Sequence, residues 1–356
     1  MLGNIIIIMS VHTRYTVNSK IFEEEDYMKD CPQGQFVPTI MGAVERIIVM
    51  GDVHGDLDVA RKFFLTAKLI DANDRWIAIP QNTIVVQVGD QIDSCRQREQ
   101  QLKKCIGDKA EDLKVMDFFD QIGDLARGVG GNVYSLLGNH ELLNVEGNFN
   151  YVSYENMVGF DFEGNKGIEG RIKAFEPGGP LAKKLACNRI GVLIIGSTMF
   201  VHAGVLPALA RRLDYLNLPD RDKLIYLNRV VRKWLLNRVD VDMDTKEIIV
   251  NDSKLSLFWT RIFGNVSQGE MLDSVSCREL KETLEVFKIG QVVVGHTPQL
   301  NSNFGINGTC QSNGKNHLYR VDGGFSRSFK DFNQGTQVQV LEILNDTEFN
   351  ILTYKN

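Results

Sequence analysis

Four short apolar runs in this chain stop at a glycine and hand over at once to a side chain that can hold a cation. Ile47-Ile48-Val49-Met50 meets Gly51-Asp52-Val53-His54-Gly55-Asp56, and Thr83-Ile84-Val85-Val86-Gln87-Val88 meets Gly89-Asp90-Gln91-Ile92-Asp93. Val133-Tyr134-Ser135-Leu136-Leu137 meets Gly138-Asn139-His140-Glu141, and Gln291-Val292-Val293-Val294 meets Gly295-His296-Thr297-Pro298. A fifth run, Met199-Phe200-Val201, ends at His202-Ala203-Gly204. Short apolar runs bounded by glycine read as buried strands. The stretch 57–70 between two of them has a helical period, with Leu57, Ala60, Phe64, Ala67 and Leu69 or Ile70 on one face. Strands alternating with helices make an α/β fold, and ligands of such a sheet gather outside the carboxyl ends of its strands. Glycine at those ends lets the backbone turn sharply and approach closely.

Residues 1–43 read as an N-terminal leader, with an acidic knot at Glu23-Glu24-Glu25-Asp26 that reads as a solvated face. No linker follows residue 44, so 44–356 reads as one domain. Residues 96–127 carry charges on a helical period interrupted at Gly107, and 144–180 read as a loop-rich insertion with short helices. Val192–Ile195 and Met199–Val201 flank Gly196-Ser197, a hairpin signature. Stretches 205–240 and 276–289 read as helical; 318–324, 336–343 and 349–354 read as strands.

The composition, 43% hydrophobic and 24% charged over 356 residues, suits a globular protein. A net charge of -5 gives no broad grip on nucleic acid, and no such partner is expected. The Ile5-Ile6-Ile7-Ile8-Met9 run is too short to span a bilayer and lacks a basic leader and cleavage site, so neither membrane insertion nor a signal peptide is expected. None of the six cysteines forms a close pair with zinc-site spacing, and a chain of this size needs no disulfide framework. Reduced thiols in a cytoplasmic setting are the expectation, although Cys95 and Cys105 lie near enough to pair.

Only six histidines occur, and four of them stand at the strand ends; His12 and His317 are left over. Asp52 and His54 are alternate residues of an extended segment and share one face. The Asp90 carboxylate can bridge two cations, Asn139 offers an amide oxygen, and His202 and His296 offer imidazole nitrogen. This oxygen and nitrogen set suits Mn, Fe or Zn better than Ca or a thiolate-seeking metal. Two such ions about 3.5–4 Å apart clamp the attacking and leaving oxygens of an in-line displacement and convert a bridging water to hydroxide. His140, beside Asn139 and not itself a ligand, is placed to protonate a leaving alkoxide or phenoxide, with Asp93 fixing its tautomer. Singly, Gly-Asp-x-x-Asp is often a plain turn, and a histidine after an apolar strand is often a satisfied core residue. Together and in order, they read as one site.

The motif series Asp-x-His, Gly-Asp-x-x-Asp, Gly-Asn-His-Glu, His and Gly-His resembles that of the calcineurin-like metallophosphoesterases, over residues 47–298 and on to about residue 330. Within that superfamily the chain is most similar to the bacterial-like (Shewanella-like) branch of the phosphoprotein phosphatases. The residues that carry this are Gly138-Asn139-His140-Glu141-Leu142-Leu143-Asn144, Phe175-Glu176-Pro177-Gly178-Gly179, Phe200-Val201-His202-Ala203-Gly204, Trp259-Thr260-Arg261 and Asp322-Gly323-Gly324. The resemblance implies two central mixed β-sheets packed as a sandwich and flanked by helices, with two divalent metals at the strand ends. It places Asp52, His54 and His296 around one metal, Asn139 and His202 around the other, Asp90 between them, and His140 with Asp93 as the acid dyad. It implies hydrolysis of phosphomonoesters on Ser/Thr or Tyr side chains of a phosphoprotein or phosphopeptide.

The chain departs from the family at Ser94, where the second motif normally has a phosphate-binding arginine. Arg96 or Arg98 can reach the phosphate from a longer loop. Leu137 stands where the eukaryotic protein phosphatases have arginine. Arg261 is the best remaining phosphate fork, its alternative being a surface arginine stacked on Trp259. The 96–127 segment lies beside the site and can shape access. Two other functions stay open at this point. One is a nucleotide or small-molecule phosphoesterase of the dinucleoside polyphosphate hydrolase type. The other is an inactive scaffold, although such relatives lose ligands that this chain keeps. Cys95, two residues from Asp93, makes redox sensitivity of the site a further expectation.

Overall fold

The computed structural model describes residues 22–95, 108–300, 305–329 and 337–355. The expectations that rest on the Ile5–Met9 run, Arg96, Arg98 and Cys105 lie outside these residues. In chain order the strands are β1 (Ile40–Met41), β2 (Arg46–Met50), β3 (Ile84–Gln87), β4 (Asn132–Leu136), β5 (Asp161–Phe162), β6 (Asn165–Lys166) and β7 (Arg189–Ile190). They continue with β8 (Val192–Ile195), β9 (Thr198–Val201), β10 (Gln291–Val294), β11 (Asn307–Ser312), β12 (Lys315–Arg320), β13 (Gln339–Leu344) and β14 (Glu348–Thr353).

Two mixed six-stranded sheets result, ordered β14-β13-β2-β3-β4-β7 and β1-β8-β9-β10-β12-β11, with β5-β6 as a separate pair. β2, β3 and β4 run parallel, with Ile48 opposite Val85 and Val85 opposite Val133. β9 and β10 also run parallel, with Phe200 opposite Val293. Two-residue periodicity explains how the second sheet is covered on both faces. Leu193, Phe200, Val293 and Tyr319 join Val49, Val86 and Leu341 of the first sheet in one apolar cluster between the sheets. Their neighbours Val192, Ile194, Met199, Val292 and Leu318 pack instead with helices Pro180–Asn188, Asp220–Leu235 and Arg278–Phe287. Helices Leu57–Thr66 and Asp112–Arg127 contribute Phe63, Phe64, Val115 and Phe119 to the core beside the first sheet. Two central mixed sheets flanked by helices are therefore present as expected. Among the described residues no helix is long and apolar enough to cross a membrane.

Three features differ from the expectations or extend them. Asn139 does not merely end a strand: it opens a seven-residue buried helix, Asn139–Val145, whose Glu141 carboxylate accepts the Gly138 amide at 2.7 Å. Residues 22–30 form a helix that packs on the body, where the Tyr27 hydroxyl donates to the Cys187 carbonyl at 2.5 Å and Glu23 accepts the Thr39 amide at 3.0 Å. Cysteines expected as thiols are paired. Cys31 is bonded to Cys187 and Cys277 to Cys310, across 156 and 33 residues, and Cys95 is also disulfide-bonded. The fold brings these partners to Cα separations of 5.6 and 5.8 Å, which no spacing in the sequence announces.

Each bridge removes conformations from the unfolded chain, so reduction should lower the unfolding free energy by about 2–4 kcal/mol per bridge. Thermal denaturation with and without dithiothreitol measures this; superimposable melting curves would refute the pairing.

Candidate dinuclear metal centre

The chemistry-bearing residues sit where strands of both sheets end. Asp52 and His54 follow β2, Asp90 and Asp93 follow β3, and Asn139 and His140 follow β4. From the other sheet, His202 follows β9 and His296 follows β10. All eight are at most 5% exposed. Four of them hold left-handed backbone: His54 (φ 49°), Asp90 (φ 55°), Asp93 (φ 71°) and His296 (φ 64°). Such conformations cost about 1–3 kcal/mol each and persist only where the surroundings impose them. Two glycines make the approach possible. A Cβ on Gly138 would collide with Asp90 Oδ1, and one on Gly295 with Asp52 Oδ1.

Two groups of ligand atoms converge on one carboxylate. His54, Asp90 and His140 form the first; Asp90, His202 and His296 form the second. Asp90 Oδ2 lies 3.8 Å from His54 Nε2, 3.8 Å from His140 Nε2 and 3.4 Å from His202 Nε2. Asp52 Oδ2 lies 3.9 Å from His54 Nε2. Asn139 Oδ1 is 2.9 Å from both His202 Nε2 and His296 Nδ1. This corrects the expected division of ligands: His296 groups with His202 and Asn139, not with Asp52 and His54. The reason is strand order, since β9 and β10 are hydrogen-bonded neighbours and carry their histidines together.

Backbone carbonyls fix which imidazole nitrogen faces inward. His202 Nδ1 donates to Val88 O at 2.8 Å, and His296 Nε2 donates to Trp259 O at 3.2 Å. Each leaves its other nitrogen to the centre, the usual outer support of a metal-binding histidine. The acids are supported as well. Glu141 accepts the amides of Asp90 (3.0 Å) and Gln91 (2.8 Å), and Asp90 Oδ1 accepts the His140 amide at 3.0 Å.

Electrostatics argue that cations belong here. Burial, Asp322 and Asp90 push the Asp52 carboxyl well above its ordinary range, and burial and Asp90 raise Glu141. Burial alone would raise Asp90 too, but His202, His140 and His54 hold it well below. His202 is raised in turn: burial works against its charge and Asp90 outweighs it. His296 is held well below its ordinary value by burial, His202 and Arg261, which keeps it neutral and able to donate a lone pair. Among the described residues, the ion-pair partners of Asp52 and Asp90 are imidazoles only. Buried carboxylates and neutral imidazoles fit two divalent ions of the Mn, Fe or Zn kind.

The acid side has its own frame. His140 Nδ1 lies 2.9 Å from Asp93 Oδ2, and Asn144 Nδ2 donates to both Asp93 oxygens at 2.9 and 3.1 Å. Arg171, fully buried, donates to Asn144 Oδ1 (2.9 Å), Asp112 Oδ2 (2.9 Å) and Asp93 Oδ1 (3.4 Å). Asp112 accepts the Asp93 amide at 3.1 Å, and burial raises its carboxyl to about 6 against the pull of Arg171. Sequence reasoning gave no role to Arg171, Asp112, Asn144 or Asp322. Asn144 and Asp322 stood inside motifs that carried the resemblance; Arg171 and Asp112 stood in none.

Of the arginines expected at the phosphate, Arg261 is exposed at the rim and donates to His296 O (3.3 Å) and Thr297 Oγ1 (3.4 Å). Arg96 and Arg98 lie outside the described residues. Ser94 is buried; its hydroxyl is bonded to Asp108, and its carbonyl accepts the Ser328 hydroxyl at 2.6 Å. Arg327 binds Gly55 O, Asp108 and Glu111, and so braces the Asp52–Asp56 loop.

Asp90→Asn should reduce bound metal from about two ions per chain to one or none by mass spectrometry; full retention would refute the bridge. Arg171→Met should cost about 3–5 kcal/mol in denaturant unfolding, because it strands two buried carboxylates.

The comparisons with known proteins agree with this geometry. A family described as calcineurin-like phosphoesterase matches residues 45–300. The chain is 54% identical over 250 residues to uncharacterized protein R398 of Acanthamoeba polyphaga mimivirus, covering 67% of this chain and 99% of that protein. It is 29% identical over 359 residues to Shewanella-like protein phosphatase 2 of Arabidopsis thaliana, covering 90% and 81%. Among solved structures, a cold-active protein tyrosine phosphatase shares the fold at TM-score 0.58 and 18% identity, covering 92% of this chain and 82% of that one. A cold-active protein-tyrosine phosphatase of a psychrophilic Shewanella species shares it at 0.55 and 19%, covering 90% and 83%. With two ligand groups meeting on Asp90 and a family match across both sheets, the chain belongs to the calcineurin-like phosphoesterases.

Proposed function

We propose that this chain is a phosphoprotein phosphatase of the Shewanella-like branch, dependent on two divalent ions, that releases phosphate from protein side chains. The proposal rests on how His140 is held. Its Nδ1 is engaged by Asp93 at 2.9 Å, so Nε2 is left to face the centre, 3.8 Å from Asp90 Oδ2. Two divalent ions held by Asp52, His54, Asp90, Asn139, His202 and His296 would supply charge neutralisation at the phosphoryl group and an activated water. The protein's own residues do the rest. Arg261 offers a guanidinium fork to the phosphate oxygens from the rim. His140 gives its Nε2 proton to the departing oxygen, and Asp93 supports the charged imidazole before transfer. Asn144 and Arg171 keep Asp93 in register for that work.

Support for a protein substrate comes from the relatives. The Arabidopsis relative is named a protein phosphatase, and the structural neighbours are protein tyrosine phosphatases. We extend that class of substrate to this chain, with tyrosyl phosphate ahead of seryl and threonyl phosphate.

After removal of metal and addition of Mn²⁺, the chain should release phosphate from phosphotyrosine, phosphoserine or phosphothreonine peptides. His140→Ala should lower kcat by about 10²–10⁴ with metal content near wild type. Loss of an ion in that variant would make His140 a ligand instead of the acid. Arg261→Ala should lower kcat/KM by about 10-fold or more. Turnover of a dinucleoside polyphosphate with silence on every peptide would replace the protein substrate by a nucleotide.

A further inference from the structure

Among the described residues, three aromatic side chains pack against the imidazoles of the centre. Phe329 lies 5.5 Å from His54 and is itself buried. Trp259 lies 5.7 Å from His296, on the ligand side. Tyr151 is the one that meets His140, at 4.8 Å between ring centroids and 78° between planes, and it is only half-buried.

The backbone fixes this ring before any substrate arrives. Tyr151 O accepts the Cys95 amide at 3.0 Å, two residues beyond Asp93. Val152 N donates to Phe149 O at 3.1 Å, closing a turn. Val152 and Ser153 are buried, and Ser153 Oγ accepts the Asn156 amide at 3.3 Å to start helix Tyr154–Val158. The tyrosine therefore rides on a turn tied to the acid loop at one end and to a helix at the other.

With Nδ1 bound to Asp93, His140 can deliver a proton only from Nε2. The departing oxygen must then come within about 2.6–3.2 Å of that nitrogen. Whatever group the oxygen carries passes beside Tyr151. An aryl group can lie against a ring at that place in an offset or edge-on arrangement; a short alkyl chain cannot cover it. We infer that Tyr151 is the leaving-group wall of the pocket and a specificity-determining residue that favours aryl phosphates over alkyl phosphates. This rests on the acid role of His140 proposed above.

Two roles for the ring predict opposite outcomes. As a wall for the leaving group, its removal hurts aryl substrates most. As a mere prop for His140, its removal hurts alkyl substrates most, because alkoxides are the poorer leaving groups and need the acid more. The test measures kcat/KM of wild type, Tyr151→Ala, Tyr151→Leu and Tyr151→Phe on phosphotyrosine and phosphoserine peptides, and on phenyl phosphate and glycerol phosphate. The ratio of aryl to alkyl kcat/KM should fall about 5- to 10-fold in Tyr151→Ala and Tyr151→Leu and recover in Tyr151→Phe. Binding gives a readout independent of turnover. Phenylphosphonate should lose affinity relative to methylphosphonate by a similar factor in the Ala and Leu variants of the metal-loaded protein. An unchanged ratio, or a ratio that rises, overturns the inference. Wild type that cleaves phenyl phosphate but no phosphopeptide sinks the protein substrate, while the phenyl-to-glycerol ratio still decides the role of Tyr151.

Discussion

Asp52 and Asp90 are buried side by side, and like charges in a poorly polarisable interior repel. Asp322 and Glu141 stand close enough to strengthen the effect. Much of the rest of the structure is a means of holding these acids together. Two sheets with apolar faces give the strand ends fixed positions. Left-handed backbone is held at His54, Asp90 and His296, and at Asp93 of the acid dyad. Glu141 gathers the amides of Gly138, Asp90 and Gln91 and so locks the β3 and β4 ends to each other. Strain and repulsion of this kind are tolerable in a folded protein when a bound cation offsets them.

Much of this was legible in the sequence, and the part that was not has a common cause. The strands that carry the candidate ligands announced themselves because each is a continuous apolar run, four of them closed by glycine and β9 by His202, so β2, β3, β4, β9 and β10 could be placed. The short edge strands β1 and β7 could not, since two residues carry no period. The eight residues of the centre were nameable because each stands beside its own strand end. Which histidine joins which group was not, because it depends on the neighbour relation of β9 and β10. Arg171 reaches Asp93 across 78 residues and Asp112 across 59, and nothing local distinguishes it from a surface arginine of a short helix. The cysteines failed for the same reason in sharper form. Chain length was a fair guide to whether disulfides were needed and no guide to whether they form.

The departure at Ser94 has a structural meaning. A phosphate-binding arginine at that position would have to extend from the loop into the pocket. Ser94 is instead buried in a junction that joins Asp108, Asn156 and Ser328, and it ties the acid loop to the helix start at Asp112 and to the segment after β12. Positive charge near the metal loop comes from Arg327, whose guanidinium is already committed to Gly55 O and to acidic neighbours. Under the function proposed above, Arg261, which donates to His296 O and Thr297 Oγ1 at the rim, is the described arginine left to meet the substrate phosphate. A guanidinium on the loop that carries a ligand links phosphate recognition to the geometry of that ligand.

The candidate ligands are divided between the sheets: Asp52, His54, Asp90 and Asn139 come from one, His202 and His296 from the other. A cation at Asp90, His202 and Asn139 would therefore span the seam of the sandwich. It can bind only after the sheets have closed on each other, so its binding free energy adds to the cohesion of the fold by mass action. The centre then works as a clasp as well as a reagent. Supply of metal would govern how tightly the two halves stay shut, and chelation would loosen the molecule along the seam between its sheets before it touched either sheet alone.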